Sequence, residues 1–229
     1  MLGGKSPLVC WIRTFVFALF LFCPFGKKLF AKSPELKSNF SSVDYAGVEN
    51  RLDSSTNHIE TLCEYIRENI FPYIDKKNFL DVGAGPGFVT QEFVEEFDWT
   101  IALDPNALYA KNYQNVFNKY GEFKNQNFEF ARFDRRFDFI LCSHVLYHIP
   151  QRNWKNFVQK MRHLLTKSGR ALVVIIGDRG EFHELCKTIN PNYSHSKIQQ
   201  TVLEEAHVLY KIAKVGGSYF HKDFNRLID

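Results

Sequence analysis

The sequence predicts an α/β fold: a doubly wound, mostly parallel sheet of about six strands with helices on both faces, preceded by a helical N-terminal cap. Three observations predict it. Short apolar strand patterns alternate with helical ones from Phe79 to Ile176. The stretch Phe79 to Phe88, FLDVGAGPGF, passes from a strand pattern through three glycines at alternate positions into a helical pattern. A second strand, Thr100 to Pro105 (TIALDP), ends in Asp104, where an open parallel sheet sets a carboxylate beside the glycine turn.

A chain of 229 residues suits one domain with a full core, or a domain plus an appendage. Hydrophobic residues make up 45% and phenylalanine alone accounts for 23 positions, so the chain is a packed globular protein and not a disordered one. The net charge of +4 is modest, no Lys/Arg run exceeds two residues, and no basic stripe is interleaved with aromatics. Nucleic acid is therefore not an expected partner. The cysteines at 10, 23, 63, 142 and 186 form no CxxC pair and no metal-ligand spacing. Cys63, Cys142 and Cys186 read as buried thiols of a cytoplasmic, reducing compartment, with no metal.

Taken in order, residues 1–32 read as a hydrophobic appendage outside the catalytic fold: an uncleaved anchor, a signal-like segment or an extraneous extension. Any membrane contact is expected through residues 8–25 alone, an apolar stretch broken by Arg13. Residues 33–44 read as a polar linker, and the domain spans 45–229. Helical periodicity begins near Tyr45, and Ile59, Leu62, Cys63, Ile66 and Ile70 define one apolar face, with Ser54, Ser55 and Thr56 offering N-cap chemistry. That helix ends at Phe71-Pro72 and is placed to close over a ligand crevice. Val89 to Phe97 and Ala107 to Tyr120 read as helices. Phe128 to Phe133 (FEFARF) reads as a third strand, and Phe137 to His144 (FDFILCSH) as a fourth, apolar enough for burial on both faces. Trp154 to Leu165 is a helix and Arg170 to Ile176 a fifth strand. Gly180 to Ile189 and Ser196 to Ala206 look helical, and His207 to Val215 is a sixth strand, with Gly216-Gly217 a hairpin turn or the end of the sheet.

The turn at Gly83, Gly85 and Gly87 carries no side chain on its crest, so a ligand can approach its backbone. A dinucleotide fingerprint wants a third glycine where Phe88 stands, and Gly87 is not followed by the Lys-Ser/Thr of a triphosphate loop. Asp104 can accept both hydroxyls of a ribose, or cap the helix that starts near Asn106.

With Asp81 at the strand end, the DxGxGxG pattern resembles the first motif of class I S-adenosylmethionine-dependent methyltransferases. CSHVLYHIP and HLLTKSGRALVVI resemble two later motifs of that Rossmann-like superfamily. Within it, YAGVENRLDSSTNHIETLCEYIRENIFPYI (Tyr45 to Ile74), VLYHI and Gly180 to Lys187 resemble histamine N-methyltransferase and its relatives. The resemblance implies S-adenosyl-L-methionine as cofactor, with its methionine part over Gly83, Ala84, Gly85 and Gly87. It also implies Asp81 in the cofactor site, Asp104 and the adjoining Pro105 at the ribose, and Ser143 lining the pocket. On the acceptor side it implies Asn57, His58, His144, Tyr147, His148 and Phe182. His144 orients the acceptor or takes its proton, with Tyr147 as the second catalytic candidate. Each has a plainer alternative: a hydrogen-bonded histidine at a strand exit for His144, packing for Tyr147 and Phe182, helix capping for Asn57 and His58. Asn57 stands where the histamine enzyme has a glutamate facing its amine, which counts against histamine itself. The implied function is methyl transfer to a small-molecule acceptor, at an amine or imidazole nitrogen, by in-line displacement. The alternative is a non-catalytic cofactor-binding module or a degenerate or truncated enzyme. The oligomeric state is not specified.

Overall fold

A computed structural model describes residues 12–22, 57–117, 119–180, 204, 206 and 209–219. Its elements run β1 (Ile12–Phe22), α1 (His58–Asn69), β2 (Asn78–Val82), α2 (Phe88–Phe93), β3 (Trp99–Leu103), α3 (Ala110–Val116), β4 (Gly121–Lys124), β5 (Phe137–Ser143), α4 (Gln151–Leu164), β6 (Leu165–Gly180) and β7 (Leu209–Tyr219). They form one sheet in the order β4-β3-β2-β5-β6-β1-β7. The five strands β4, β3, β2, β5 and β6 are mutually parallel. β1 lies antiparallel between β6 and β7. No helix among the described residues is long and apolar enough to cross a membrane.

The chain moves outward from β2 through β3 to β4, then returns to β5 on the other side of β2. The strand order thus reverses between β2 and β5, and a crevice opens there beyond the carboxyl ends of the strands, where parallel sheets take their ligands.

The central strands read as near-continuous apolar runs because both faces are covered. Phe137 to Cys142 of β5 are all buried. On one face Phe79, Phe139, Leu141, Leu172 and Val174 meet Leu62, Cys63 and Ile66 of α1 and Phe93 of α2. On the other, Leu80, Val82, Ile140 and Val173 meet Trp154, Phe157, Val158 and Met161 of α4. Asn57 takes the N-cap position of α1 rather than Ser54, Ser55 or Thr56, although its side chain makes no capping bond. Pro72 opens a short 3-10 turn, Phe71–Tyr73, that ends the helix as its sequence requires.

The third strand is not Phe128 to Phe133 but β4, Gly121–Lys124. The FEFARF stretch is instead a hydrogen-bonded turn, with the Ala131 N–H donating to the carbonyls of Asn127 and Phe128. It buries Phe128 and Ala131 and leaves Phe130 73% exposed, a three-residue spacing and not a strand's alternation. The helix expected over Ala107 to Tyr120 is shorter, a 3-10 turn (Ala107–Tyr109) leading into α3. β7 runs through Gly216 and Gly217 without a hairpin. The linker at 33–44, Phe182 and nearly all of the two expected C-terminal helices lie outside the described residues.

Candidate functional site at the switch point

The turn after β2 needs its glycines for conformation as well as for space. Gly83, Gly85 and Gly87 have φ of +68°, +54° and +91°, values that only glycine adopts without strain. A Cβ on Gly83 would collide with Val145 Cγ2, and one on Gly87 would lie 2.9 Å from the Tyr113 ring. The turn's own N–H groups are spent in holding this shape. Gly83 and Ala84 donate to the Leu103 carbonyl at 2.7 and 3.1 Å, and Gly87 donates to that of Ala84 at 3.0 Å. Gly85 donates to Asp104 Oδ2 at 3.0 Å. The crest therefore offers carboxylates and bare backbone to a ligand, not a cradle of N–H donors suited to phosphate.

Two carboxylates flank it. Asp81, at the carboxyl end of β2, is 2% exposed, and Thr90 Oγ1 of α2 donates to its Oδ2 at 2.7 Å. Burial pushes the Asp81 carboxyl up to about 7, opposed by the Thr90 bond and reinforced by the Asp104 charge. Asp104 is 8% exposed and accepts the N–H groups of Gly85 and, at 2.8 Å, Asn106. Burial raises its pKa against those two bonds. The capping residue of the next turn is not Asp104 but Asn106, whose side chain accepts the Leu108 N–H at 3.1 Å. Two of the four lone-pair directions of Asp104 are used, leaving acceptor capacity for hydroxyls. Asn125 Nδ2 donates to the Asp104 carbonyl at 3.0 Å and fixes the backbone beneath.

The far wall is made of histidine. His144 follows β5 with φ +58°, the one non-glycine positive φ among the described residues. A strand exit that forces a side chain into this region costs energy and is met mostly where the residue is used. Its backbone N–H donates to the Val174 carbonyl at 2.9 Å, and its ring stands edge-on to that of His58, the first residue of α1, with centroids 5.7 Å apart. Burial holds the His144 imidazole down to about 3, helped by the neighbouring His58 and His148, and burial holds His58 down to about 4. Both rings are neutral at physiological pH.

His58, Asp81, Gly83, Ala84, Ser143 and His144 thus line one cleft of about 70 Å³, together with Ile59, Pro86, Phe88, Val89 and Leu141. Asp104 joins through its bond to Gly85. Asn57 adjoins His58 at the start of α1, half-buried. Tyr147 and His148 lie in the 3-10 turn Leu146–His148 just past the strand exit, and His148 is exposed. Pro105 is exposed and does not line the cleft. Phe182 lies outside the described residues. Among the described residues no cluster could hold a metal ion. Cys63 and Cys142 are free and buried; burial pushes the Cys63 thiol up to about 12 and raises that of Cys142 as well, so both are inert. Sequence reasoning missed Thr90 and Tyr113, which are brought under the turn from 9 and 28–29 residues away. No local pattern marks them.

These features define a doubly wound α/β domain with an acidic, glycine-crested ligand crevice at its switch point. Residues 55–207 match the methyltransferase-domain family, more than half of the chain, and the chain belongs to it. Over 98 residues it is 29% identical to an uncharacterized methyltransferase of Staphylococcus carnosus. That match covers 42% of this chain and 45% of the other, so the chain spans less than half the length of that relative. Among solved structures, an S-adenosylmethionine-dependent methyltransferase from Leishmania major is similar in fold, with a TM-score of 0.52 at 13% identity over 76% of each chain. One from Clostridium acetobutylicum gives 0.47 at 20% identity, covering 50% of this chain and 49% of the other.

Proposed function

We propose that the chain is an S-adenosylmethionine-dependent methyltransferase acting on a small molecule, at an amine or imidazole nitrogen. The observation that carries this reading is the glycine turn held between two buried carboxylates, Asp81 and Asp104, and facing two neutral imidazoles. A turn whose N–H groups are consumed internally suits a cationic ligand better than a phosphate. The cofactor is such a ligand, with a sulfonium, an ammonium and a ribose diol, so the donor set fits it. When bound, it supplies an electrophilic methyl group for in-line displacement.

In this reading Asp104 takes the ribose hydroxyls, Asp81 faces the charged methionine end, and Gly83, Ala84, Gly85 and Gly87 admit the ligand against the backbone. Ser143 and His144 form the floor between cofactor and acceptor. Positioning supplies most of the rate in such a displacement, since no covalent intermediate is needed. His144, neutral, accepts or donates a hydrogen bond and so orients the acceptor. With a pKa near 3 it is a poor resting place for a proton, which leaves to water instead. Asn57, His58, Tyr147 and His148 surround the acceptor side. A wall of neutral groups favours an acceptor nitrogen that enters uncharged, with its lone pair available.

Calorimetric titration of S-adenosylmethionine and S-adenosylhomocysteine into the full chain tests this. Saturable binding is expected, weakened at least about tenfold by Asp104→Ala through loss of hydrogen bonds to a charged group. Transfer of labelled methyl to members of an amine and imidazole panel then identifies the acceptor. Binding without transfer to any acceptor would favour a non-catalytic module, and no binding by folded protein would end the enzyme reading.

A further inference from the structure

The Asp81 carboxylate is buried under the glycine turn, yet it must face one particular way to serve the cleft. The turn itself does not hold it. Its Oδ2 accepts from Thr90 at 2.7 Å and its Oδ1 makes no hydrogen bond among the described residues, while the residue lines the cleft. Thr90 is completely buried. A threonine in this place has a structural alternative, back-bonding to its own helix, but here the hydroxyl is turned onto the neighbouring strand. Behind it stands the Tyr113 hydroxyl of α3, 3.5 Å from Thr90 Oγ1 and 3.2 Å from each of the Ala84 and Gly85 carbonyls. The Tyr113 ring also fills the space a Cβ on Gly87 would need. One chain of polar groups therefore connects the strand-end carboxylate, α2 and the crest of the turn.

Resting on the cofactor reading above, we infer that Thr90 is a positioning residue for cofactor binding: it pins Asp81 Oδ2 so that Oδ1 faces the cleft, and Tyr113 locks the turn to the same network. The carboxylate also responds to this bond, because the donated proton favours its ionised form. Asp81 is faced by Asp104 beyond β3, Cys142 on β5 and Cys63 on α1, with His58 and His144 lining the same cleft. Neither thiol titrates in the range that matters, and both imidazoles are already neutral there.

The test uses the full chain and its Thr90→Val and Thr90→Ser variants, with S-adenosylmethionine titrated calorimetrically from about pH 5 to 9 across the Asp81 transition. Carbon-13 NMR of labelled aspartate follows the Asp81 carboxyl without cofactor. Thr90→Val is expected to bind about tenfold more weakly at neutral pH and to move the carboxyl midpoint upward, while Thr90→Ser restores both. Tyr113→Phe is expected to weaken binding with the carboxyl midpoint close to that of the parent. The inference is overturned if Thr90→Val matches the parent in affinity and midpoint, or if Thr90→Ser is as impaired as Thr90→Val, since the loss would then be one of packing. A midpoint that moves as expected while no form binds cofactor would discard the cofactor reading itself, and the positioning role with it.

Discussion

At the scale of single residues, Asp81 carries a burial cost to stability that its proposed cofactor role would account for. Its pKa in the folded protein, about 7 against an ordinary 3.8, means that the folded state keeps a proton the unfolded chain has already lost. Stability therefore falls as pH rises from about 4 to 7, and the contribution is fully present only below that window. Above it the buried charge carries its whole desolvation cost. Asp81→Asn is isosteric and can still accept from Thr90, so it should melt about 3–8 °C higher than the parent at pH 8. The gain should shrink toward pH 4. The same substitution should weaken S-adenosylmethionine binding and flatten its rise with pH. Differential scanning calorimetry at three pH values measures the first effect, and a variant less stable than the parent at pH 8 would show that the carboxylate is not strained by burial. The glycines beside it were legible in the sequence because positive φ leaves a compositional mark. Thr90 was not, because an ordinary helix residue gains its role only when the chain folds α2 back onto β2.

At the scale of elements, the two ends of the sheet divide the labour. Asp138, at the start of β5 and far from the cleft, is 2% exposed and fully used. Its Oδ2 accepts the N–H groups of Lys77 and Asn78 where β2 begins, and its Oδ1 accepts the Thr166 hydroxyl at the start of β6. One side chain thus ties three adjacent parallel strands where no turn connects them. Asp138→Ala leaves those donors unmet and should cost about 2–4 kcal/mol. Urea unfolding would show it, with cofactor affinity unchanged because the crevice lies at the opposite strand ends. Long apolar strands such as β5 announce themselves, since burial on both faces requires such a run. β4 does not: GEFK is four residues long and only partly buried at the sheet edge. The nearby FEFARF stretch alternates in sequence, yet the Lys160 ammonium bonds the carbonyls of Phe128, Glu129 and Ala131 and fixes it as a turn. That cation comes from α4, some thirty residues away, and a local window cannot contain it.

At the scale of the whole molecule, the sheet separates two cores that are not equivalent for the site. The core under α1 and α2 is built on aromatic contacts: Phe71, Phe79, Phe93, Phe97 and Phe139 stack or meet edge-on. The helix α1 that seals it also delivers His58 to the cleft from its first turn. The α4 core holds the opposite face and reaches the strand exits through Val82 and Leu146, yet none of its buried side chains lines the cleft. A cleft of about 70 Å³ is small beside the roughly 300–1,000 Å³ usual for ligand pockets, so a nucleoside-sized ligand requires its wall to yield. The wall made by α1, which lines the cleft with His58 and Ile59, is the one expected to move. Ile66 and Met161 are both fully buried, one in each core, and truncating either to alanine should cost about 2–5 kcal/mol. Their effects on binding should differ. Ile66→Ala loosens the seat of α1 and should change S-adenosylmethionine affinity and the protection of α1 amides against hydrogen exchange. Met161→Ala, at comparable loss of stability, should leave both near the parent values. Equal changes in affinity for the two variants would mean that the crevice senses global stability alone, and that α1 is a passive wall.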